Sequence, residues 1–131
     1  MHHRLIHQST AITLDYDVVE NYLHAVWAPE QDLSTTRTGY EQILTQLPTV
    51  HCHRLLDHQR QAHLMWEELA QWLATDWYPR AFQAGLTVHC VVFSSDFYGH
   101  RATEVVMAAV GGGVMRGFSS EEAARRALLA A

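Results

Sequence analysis

The stretch Thr87-Val88-His89-Cys90-Val91-Val92-Phe93 is almost wholly apolar. A strand of this composition is typical of a parallel sheet that is buried on both faces. Gly85, which precedes the stretch, favours the end of a preceding helix at that point. The stretch therefore predicts an α/β domain with a mostly parallel sheet, and the segments on either side of it extend this prediction.

Toward the N-terminus, the sequence predicts two strands that can pair as an antiparallel hairpin. Residues 11–16 alternate apolar and polar side chains, which is the pattern of a half-buried strand. Residues 22–27 form a second strand, which Pro29 stops because proline cannot donate to a strand ladder. We expect the first ten residues, before this hairpin, to be flexible.

Two helical patterns follow the hairpin, with a third strand predicted between them over residues 51–56. The first helix is predicted to be capped by Ser34 or the threonines after it and to end at Pro48. The second helix continues through Trp77, Tyr78 and Phe82 after a bend at Pro79. Both helices carry apolar stripes at helical spacing. These stripes are Tyr40, Ile43, Leu44 and Leu47 in the first helix and Met65, Trp66, Leu69, Trp72 and Leu73 in the second.

The C-terminal part predicts a weakly helical segment, one more strand and a last helix. Residues 101–110 have weak helical character, and residues 114–118 form a short last strand. Ser119-Ser120-Glu121-Glu122 then predicts a capping box before an Ala-rich helix. The predicted order is ββαβαβαβα, with a mixed four- or five-stranded sheet and helices mainly on one face. We expect all 131 residues to form a single domain.

The composition excludes several function classes. All nine basic residues are Arg, and the absence of Lys excludes a Walker-type phosphate loop and a Schiff-base enzyme. A net charge of -5 argues against binding to nucleic acid or to an anionic membrane. Cys52 and Cys90 lie in apolar segments, and no signal peptide is recognisable. We therefore expect two reduced, buried thiols in a cytoplasmic protein.

Particular residues recur at set places in this order: Trp27, Leu55-Leu56-Asp57 followed by Arg60, Trp77-Tyr78-Pro79, Gly85 and Phe118. Together they resemble the STAS-like family, which is related to anti-sigma-factor antagonists. The resemblance extends over roughly residues 11–129 and is strongest to the bacterial branch of small stand-alone proteins whose role is unassigned. It implies a binding or regulatory module rather than an enzyme, and some relatives bind apolar or nucleotide ligands.

The resemblance also implies where a phosphorylation switch would lie. In antagonists of that type, a Ser follows the Asp that ends the third strand. Here the matching stretch is Asp57-His58-Gln59-Arg60, and no Ser or Thr occurs between Thr49 and Thr75. A phosphate at a helix N-terminus would change partner binding through its charge. The sequence predicts that this chain lacks the switch.

A candidate ligand site follows from the expected sheet, because ligands bind beyond the carboxyl ends of parallel strands. Arginine there can hold a carboxylate or phosphate, while Phe97 and Tyr98 can cover an apolar body. In the alternative interpretation, Asp57 pairs with Arg60 or caps the next helix, and the aromatic residues close the core. The candidate ligand-binding residues are Asp57, His58, Arg60, Tyr98, His100 and Arg101.

Metal and catalytic sites are weaker hypotheses. His53 and His89 are the alternative metal ligands, but no C-x2-C or H-x3-H spacing appears. Strand parity also suggests that Thr13, His24, His53 and His89 lie on a sheet face without helices, where they are solvated or meet a second subunit. The chain has no G-x-S-x-G elbow to support a triad of Ser94, Asp96 and His100. We expect that the protein binds no cofactor and no metal and that it is not an enzyme.

The sequence thus predicts a non-catalytic binding or regulatory module. It would recognise a protein partner or a small, partly apolar ligand, and it would form a homodimer. A protein interface would use Trp and Tyr side chains as anchors rather than charge. The alternative is a small-ligand carrier or an enzyme that acts at the carboxyl ends of the central strands.

Overall fold

The computed structural model describes residues 3–29, 32–59, 67–93, 101, 104, 107–108 and 114–131. In these residues, six strands form one sheet in sequence order: β1 (His3–Gln8), β2 (Ile12–Asp17), β3 (Tyr22–Trp27), β4 (Arg54–His58), β5 (Val88–Val92) and β6 (Met115–Phe118). The helical elements are α1 (Leu33–Thr49), α2 (Glu67–Trp72), a π-helical turn (Leu73–Trp77), α3 (Tyr78–Gln83) and α4 (Glu121–Ala130).

The sheet is mixed, which confirms the α/β prediction. Strand β2 pairs antiparallel with both β1 and β3. The pairs from β3 through β4 and β5 to β6 are all parallel. The predicted hairpin is the β2–β3 pair. The strand count of four or five was wrong, partly because β1 was missed: residues 3–8 pair with β2 instead of being a flexible leader. Most of β1 is exposed at the sheet edge, so its sequence carries no alternating apolar pattern.

The two faces of the sheet carry different helices. One face, here called the crossover face, buries Leu23, Leu55 and Val91 in the same apolar cluster as residues of α1, α2 and α3. The opposite face, here called the α4 face, buries Leu56 and Cys90 against α4. The parallel strands follow one another across the sheet in sequence order. Right-handed crossovers between such strands place all the connecting helices on the same side of the sheet. Helix α4 follows β6 and covers the other side of the sheet.

Helix α1 begins and ends close to the predicted positions. Its N-cap is Asp32 rather than Ser34, and the Asp32 side chain accepts a hydrogen bond from the Thr35 N–H at 2.8 Å. Pro48 lies inside the last turn of α1 rather than after it. Strand β4 begins at Arg54, later than predicted, because His51 adopts a left-handed turn with φ of 53°. The strand also ends later than predicted, because it includes Asp57 and His58.

The segment between β4 and β5 contains one wide helical turn. Pro79 has no N–H group, so an ordinary helix would lose a hydrogen bond there. The Tyr78 N–H instead bonds to the Leu73 carbonyl, five residues back, in a π-helical turn. Trp77 and Tyr78 are consecutive residues and both are buried. Gly85 follows with φ of 103°, as predicted for a helix stop.

The C-terminal elements agree with the sequence prediction in position. Strand β6 and helix α4 follow one another, and the Ser120 hydroxyl oxygen accepts from the Ala123 N–H at 3.2 Å. The cap is therefore Ser120 rather than Ser119, without the reciprocal Glu bond of a capping box. The predicted helix over 101–110 falls mostly outside the described residues. No helix in the described part of the chain is long and apolar enough to cross a membrane.

Candidate functional site

A buried polar network surrounds the carboxyl group of Asp57 on the crossover face. Its Oδ1 accepts from Trp27 Nε1 at 2.7 Å. Its Oδ2 accepts from the Tyr40 hydroxyl at 3.1 Å and from Gln59 Nε2 at 3.0 Å, and it lies 2.8 Å from His89 Nε2. Both carboxyl oxygens are therefore partnered, as a buried carboxyl group requires.

The ring of His89 connects this carboxyl group to a second tyrosine. Its Nδ1 contacts the Tyr78 hydroxyl at a short distance. The neutral tautomer with its proton on Nε2 satisfies both contacts, because Nε2 then donates to Asp57 while Nδ1 accepts from Tyr78. Burial, and then the nearby Asp57, raise the pKa of both Tyr40 and Tyr78 well above the ordinary value. Both hydroxyls therefore stay protonated and available as donors.

The network is closed to solvent. Asp57 and Gln59 are fully buried, and His89 is 1% exposed. Packing around it is aromatic: the rings of Trp27 and Tyr40 lie 4.8 Å apart between centroids, and Trp77 Nε1 donates to the Tyr40 carbonyl at 2.8 Å. The network thus holds β3, β4, β5, α1 and α3 together, which is a structural role.

A second polar cluster lies on the α4 face, where α4 begins. His24 Nε2 is 3.1 Å from Glu121 Oε1, and His58 Nδ1 is 3.3 Å from the same oxygen. The two imidazole rings are stacked with centroids 6.1 Å apart. His3 lies against His24, with ring centroids 6.0 Å apart. Burial lowers the pKa of His24, and the attraction of Glu121 opposes this shift. The neutral imidazole of His24 is therefore favoured.

A surface groove lies between α1 and α2, beyond the helices of the crossover face. Its volume is about 480 Å³. The Arg37 guanidinium lies over the Trp72 ring, 4.9 Å from the ring centroid. Glu41, also in the groove, binds Arg80 through both carboxylate oxygens at 2.5 and 2.8 Å. The lining residues are Leu33, Ser34, Arg37, Thr38, Glu41 and Trp72.

The structure separates the first two residues of the predicted ligand pocket. Because β4 continues through His58, the side chains of Asp57 and His58 point to opposite faces of the sheet. Asp57 belongs to the closed network, and His58 belongs to the cluster at α4. Arg101 is exposed. The other three predicted residues, Arg60, Tyr98 and His100, lie outside the described residues, as do Ser94 and Asp96.

The prediction that Thr13, His24, His53 and His89 share a sheet face without helices was wrong, because α4 covers the face that carries His24. The register opposes Leu23 to Leu55 and Leu55 to His89, so His89 shares the crossover face. His53 precedes β4, and its Nδ1 lies 2.8 Å from the Gly85 carbonyl. Both ring nitrogens of His89 are already engaged. The alternative metal pair His53 and His89 is therefore not brought together, whereas His24 lies on the α4 face.

Sequence reasoning missed the cluster at α4 and the groove. His24, His58 and Glu121 come from three elements, and only the strand register and the position of α4 bring them together. The groove was also hard to find from the sequence. Arg37 and Trp72 lie in two separate predicted helices, and their spacing along the chain does not show that they meet. The two thiols agree with the prediction, because Cys52 and Cys90 are free and buried.

Comparisons of the chain with protein-family models, with curated proteins and with solved structures found no match. The STAS-like resemblance therefore stays a prediction.

Proposed function

We propose that the protein is a non-catalytic binding module that takes a small, partly apolar carboxylate ligand in the groove between α1 and α2. The observation that carries this proposal is the Arg37 guanidinium over the Trp72 ring, 4.9 Å from its centroid. A guanidinium stacked on an aromatic ring can still bind a carboxylate through two hydrogen bonds in its own plane. Leu33 and the remaining surface of Trp72 in the groove lining provide apolar contact beside it.

The ion pairs beside the groove leave the Arg37 guanidinium available to an anionic ligand. Among the described residues, Arg37 has no carboxylate partner, because the neighbouring Glu41 is bound by Arg80. Arg80 is in turn shared with Asp76, at 2.7 Å. In the described part of the chain the guanidinium of Arg37 is thus not bound to a carboxylate, and its donors can bind the carboxylate of a ligand.

The closed network around Asp57 supports a role without catalysis. A catalytic group must reach its substrate, whereas Asp57, Gln59 and His89 are at most 1% exposed. The hydrogen bonds of Asp57 and His89 are used within the fold. This favours ligand recognition at the helical surface over chemistry at the sheet centre.

The ligand proposal is tested by titrating arylalkanoic acids, such as indole-3-acetate and 4-phenylbutyrate, against their neutral amides by calorimetry. We expect the acids to bind and the amides to bind at least about 10-fold more weakly, because a hydrogen bond to a charged group contributes about 1.5–3 kcal/mol. Arg37→Gln should weaken binding of the acids by a similar factor.

The matched control is Arg126→Gln, on the exposed surface of α4, which should leave the affinity unchanged. Equal affinity for wild type and Arg37→Gln would contradict the proposal. If affinity were instead lost in Arg60→Gln and Arg101→Gln, the alternative carrier or enzyme site at the carboxyl ends of the strands would be favoured. Failure of every acid to bind would remove the small-ligand function and leave a protein partner.

A STAS-like regulatory role without the phosphorylation switch is part of the same proposal. The α/β architecture and the absence of Ser and Thr between Thr49 and Thr75 support it. We also propose that the chain forms a homodimer in the cytoplasm. Sedimentation velocity over a range of concentrations tests the dimer, and a single species of monomer mass would contradict it.

A further inference from the structure

The cluster at the start of α4 has the composition and spacing of a metal site. His24, His58 and Glu121 each offer one potential ligand atom, and these three atoms all lie within 4.8 Å of one another. They come from β3, β4 and α4, so the fold assembles them. The groove between α1 and α2 lies on the other side of the sheet, and this cluster has no part in the proposed ligand binding.

We propose that His24, His58 and Glu121 form a site for Zn²⁺ or a related divalent transition-metal ion, with water at the remaining position. Zinc bonds of about 2.0–2.1 Å at tetrahedral angles place ligand atoms about 3.3 Å apart. The two separations from Glu121 Oε1, 3.1 and 3.3 Å, match this spacing. Two imidazoles with one carboxylate favour zinc over magnesium or calcium, which prefer oxygen ligands.

The orientation of His24 supports a metal ligand rather than a hydrogen-bond donor. Its Nε2 is buried and has no hydrogen-bond partner among the residues that the structure describes, although Glu121 Oε1 is close. The ring is thus not aimed along a hydrogen bond to that oxygen. A buried nitrogen without a partner is costly, and a bound ion would provide one. The His24 side chain is only 12% exposed.

The carboxylate of Glu121 is held in place by a neighbour. Arg125 Nη2 donates to Glu121 Oε2 at 3.2 Å, one turn along α4. This contact leaves Oε1 directed at the two histidines. Outer contacts that orient a carboxylate ligand are a common feature of metal sites. The bound ion would tie the first residue of α4 to β3 and β4 and so stabilise the docking of α4.

The direct test is calorimetric titration of the full chain with Zn²⁺ after removal of metal by a chelator. We expect a single Zn²⁺ to bind per chain. His24→Gln, His58→Gln and Glu121→Gln should each weaken binding by about 10-fold or more, since even outer contacts of metal ligands contribute 10- to 100-fold. The controls His7→Gln, in β1, and Glu122→Gln, beside the ligand, should bind as wild type does.

Two measurements on wild-type protein keep the test independent of how the variants fold. Zn²⁺ should raise the melting temperature, whereas Mg²⁺ at the same concentration should not. Nuclear magnetic resonance of the ten histidine rings should show shifts at His24 and His58 on adding Zn²⁺. No binding by wild type, unchanged affinity in a folded Glu121→Gln variant, or shifts confined to other histidines would each overturn the proposal.

Discussion

His89 Nε2 lies 2.8 Å from Asp57 Oδ2, between two adjacent parallel strands. The sheet register opposes His89 to Leu55, so the contact reaches diagonally along the strands to Asp57. Both side chains are buried where an apolar pair would be the ordinary choice. The core at this position is thus held by directional hydrogen bonds, and its stability depends on the complete set of partners.

Replacing the carboxyl group should therefore be costly. In Asp57→Asn, an amide nitrogen would face groups that themselves donate, and we expect the free energy of unfolding to fall by about 1–3 kcal/mol for each buried donor left without an acceptor. Urea denaturation measures this loss. The control is Asp76→Asn, an exposed partner of Arg80, which should cost about 1 kcal/mol or less. Equal losses in the two variants would mean that the network does not stabilise the fold.

Gly39 and Trp27 should show strong coupling. A Cβ at position 39 would lie 2.6 Å from Trp27 Cζ3 and 2.7 Å from Cη2. The indole cannot move away easily, because its Nε1 is bonded to Asp57. Gly39→Ala should destabilise by about 1–3 kcal/mol through overpacking, although alanine in an open helix would stabilise by about 1 kcal/mol.

The double variant separates the two effects at Gly39. In a Trp27→Phe background the clashing ring atoms are absent, so Gly39→Ala should be nearly neutral or stabilising. A double-mutant cycle measured by urea denaturation gives the coupling, which we expect to exceed about 1 kcal/mol. The same cost of Gly39→Ala in both backgrounds would show that helix geometry, not the indole, requires glycine.

The sequence predicted the elements whose local pattern is strong. Residues 22–27 and 87–93 were recognised because apolar runs report burial directly. Strand β1 was missed, because an exposed edge strand needs no apolar period. In place of the π-helical turn at Leu73–Trp77, the sequence predicted only a bend at Pro79. A proline shows that one helical hydrogen bond is missing, but it does not show how the helix adapts to the loss.

The two polar clusters depend on long-range register, which sequence pattern does not fix. Side chains alternate along one strand, so the sequence shows which residues of that strand share a face. Which residues of β3 and β5 share a face depends on how both strands pair with β4. The sequence prediction gave His24 and His89 the same face, and the pairing places them on opposite faces. The partners of Asp57 come from β3, α1 and β5, so the closed network was not predictable from the residues after a single strand.

Alkaline conditions should destabilise the fold through the buried phenols. Burial raises the pKa of Tyr40 and Tyr78, so the folded state favours their neutral form. Their contribution to stability is fully present below the ordinary pKa of about 10 and is lost as the pH rises above it. The loss should be about 1.4 kcal/mol per pH unit for each tyrosine until its folded pKa is reached.

Urea midpoints measured between pH 7 and pH 11 test this dependence. Tyr78→Phe removes one ionisation, and Tyr40→Phe with Tyr78→Phe removes both. The slope above pH 10 should fall with each substitution, even though the variants are less stable at neutral pH. An unchanged slope in the double variant would assign the alkaline loss to other groups.

The two thiols should differ in how far the fold protects them. Burial raises the pKa of both Cys52 and Cys90, which lowers the reactive thiolate fraction. Cys90 lies inside β5, between β4 and β6, whereas Cys52 lies in the turn between α1 and β4. Cys90 becomes accessible only when the sheet opens, and Cys52 needs a smaller local opening. With a chromogenic disulfide reagent at pH 8, the single-thiol variants Cys52→Ala and Cys90→Ala should both react far more slowly than in urea. The chain that keeps Cys90 should be the slower of the two, and its faster reaction in native buffer would contradict the protection expected of a central strand.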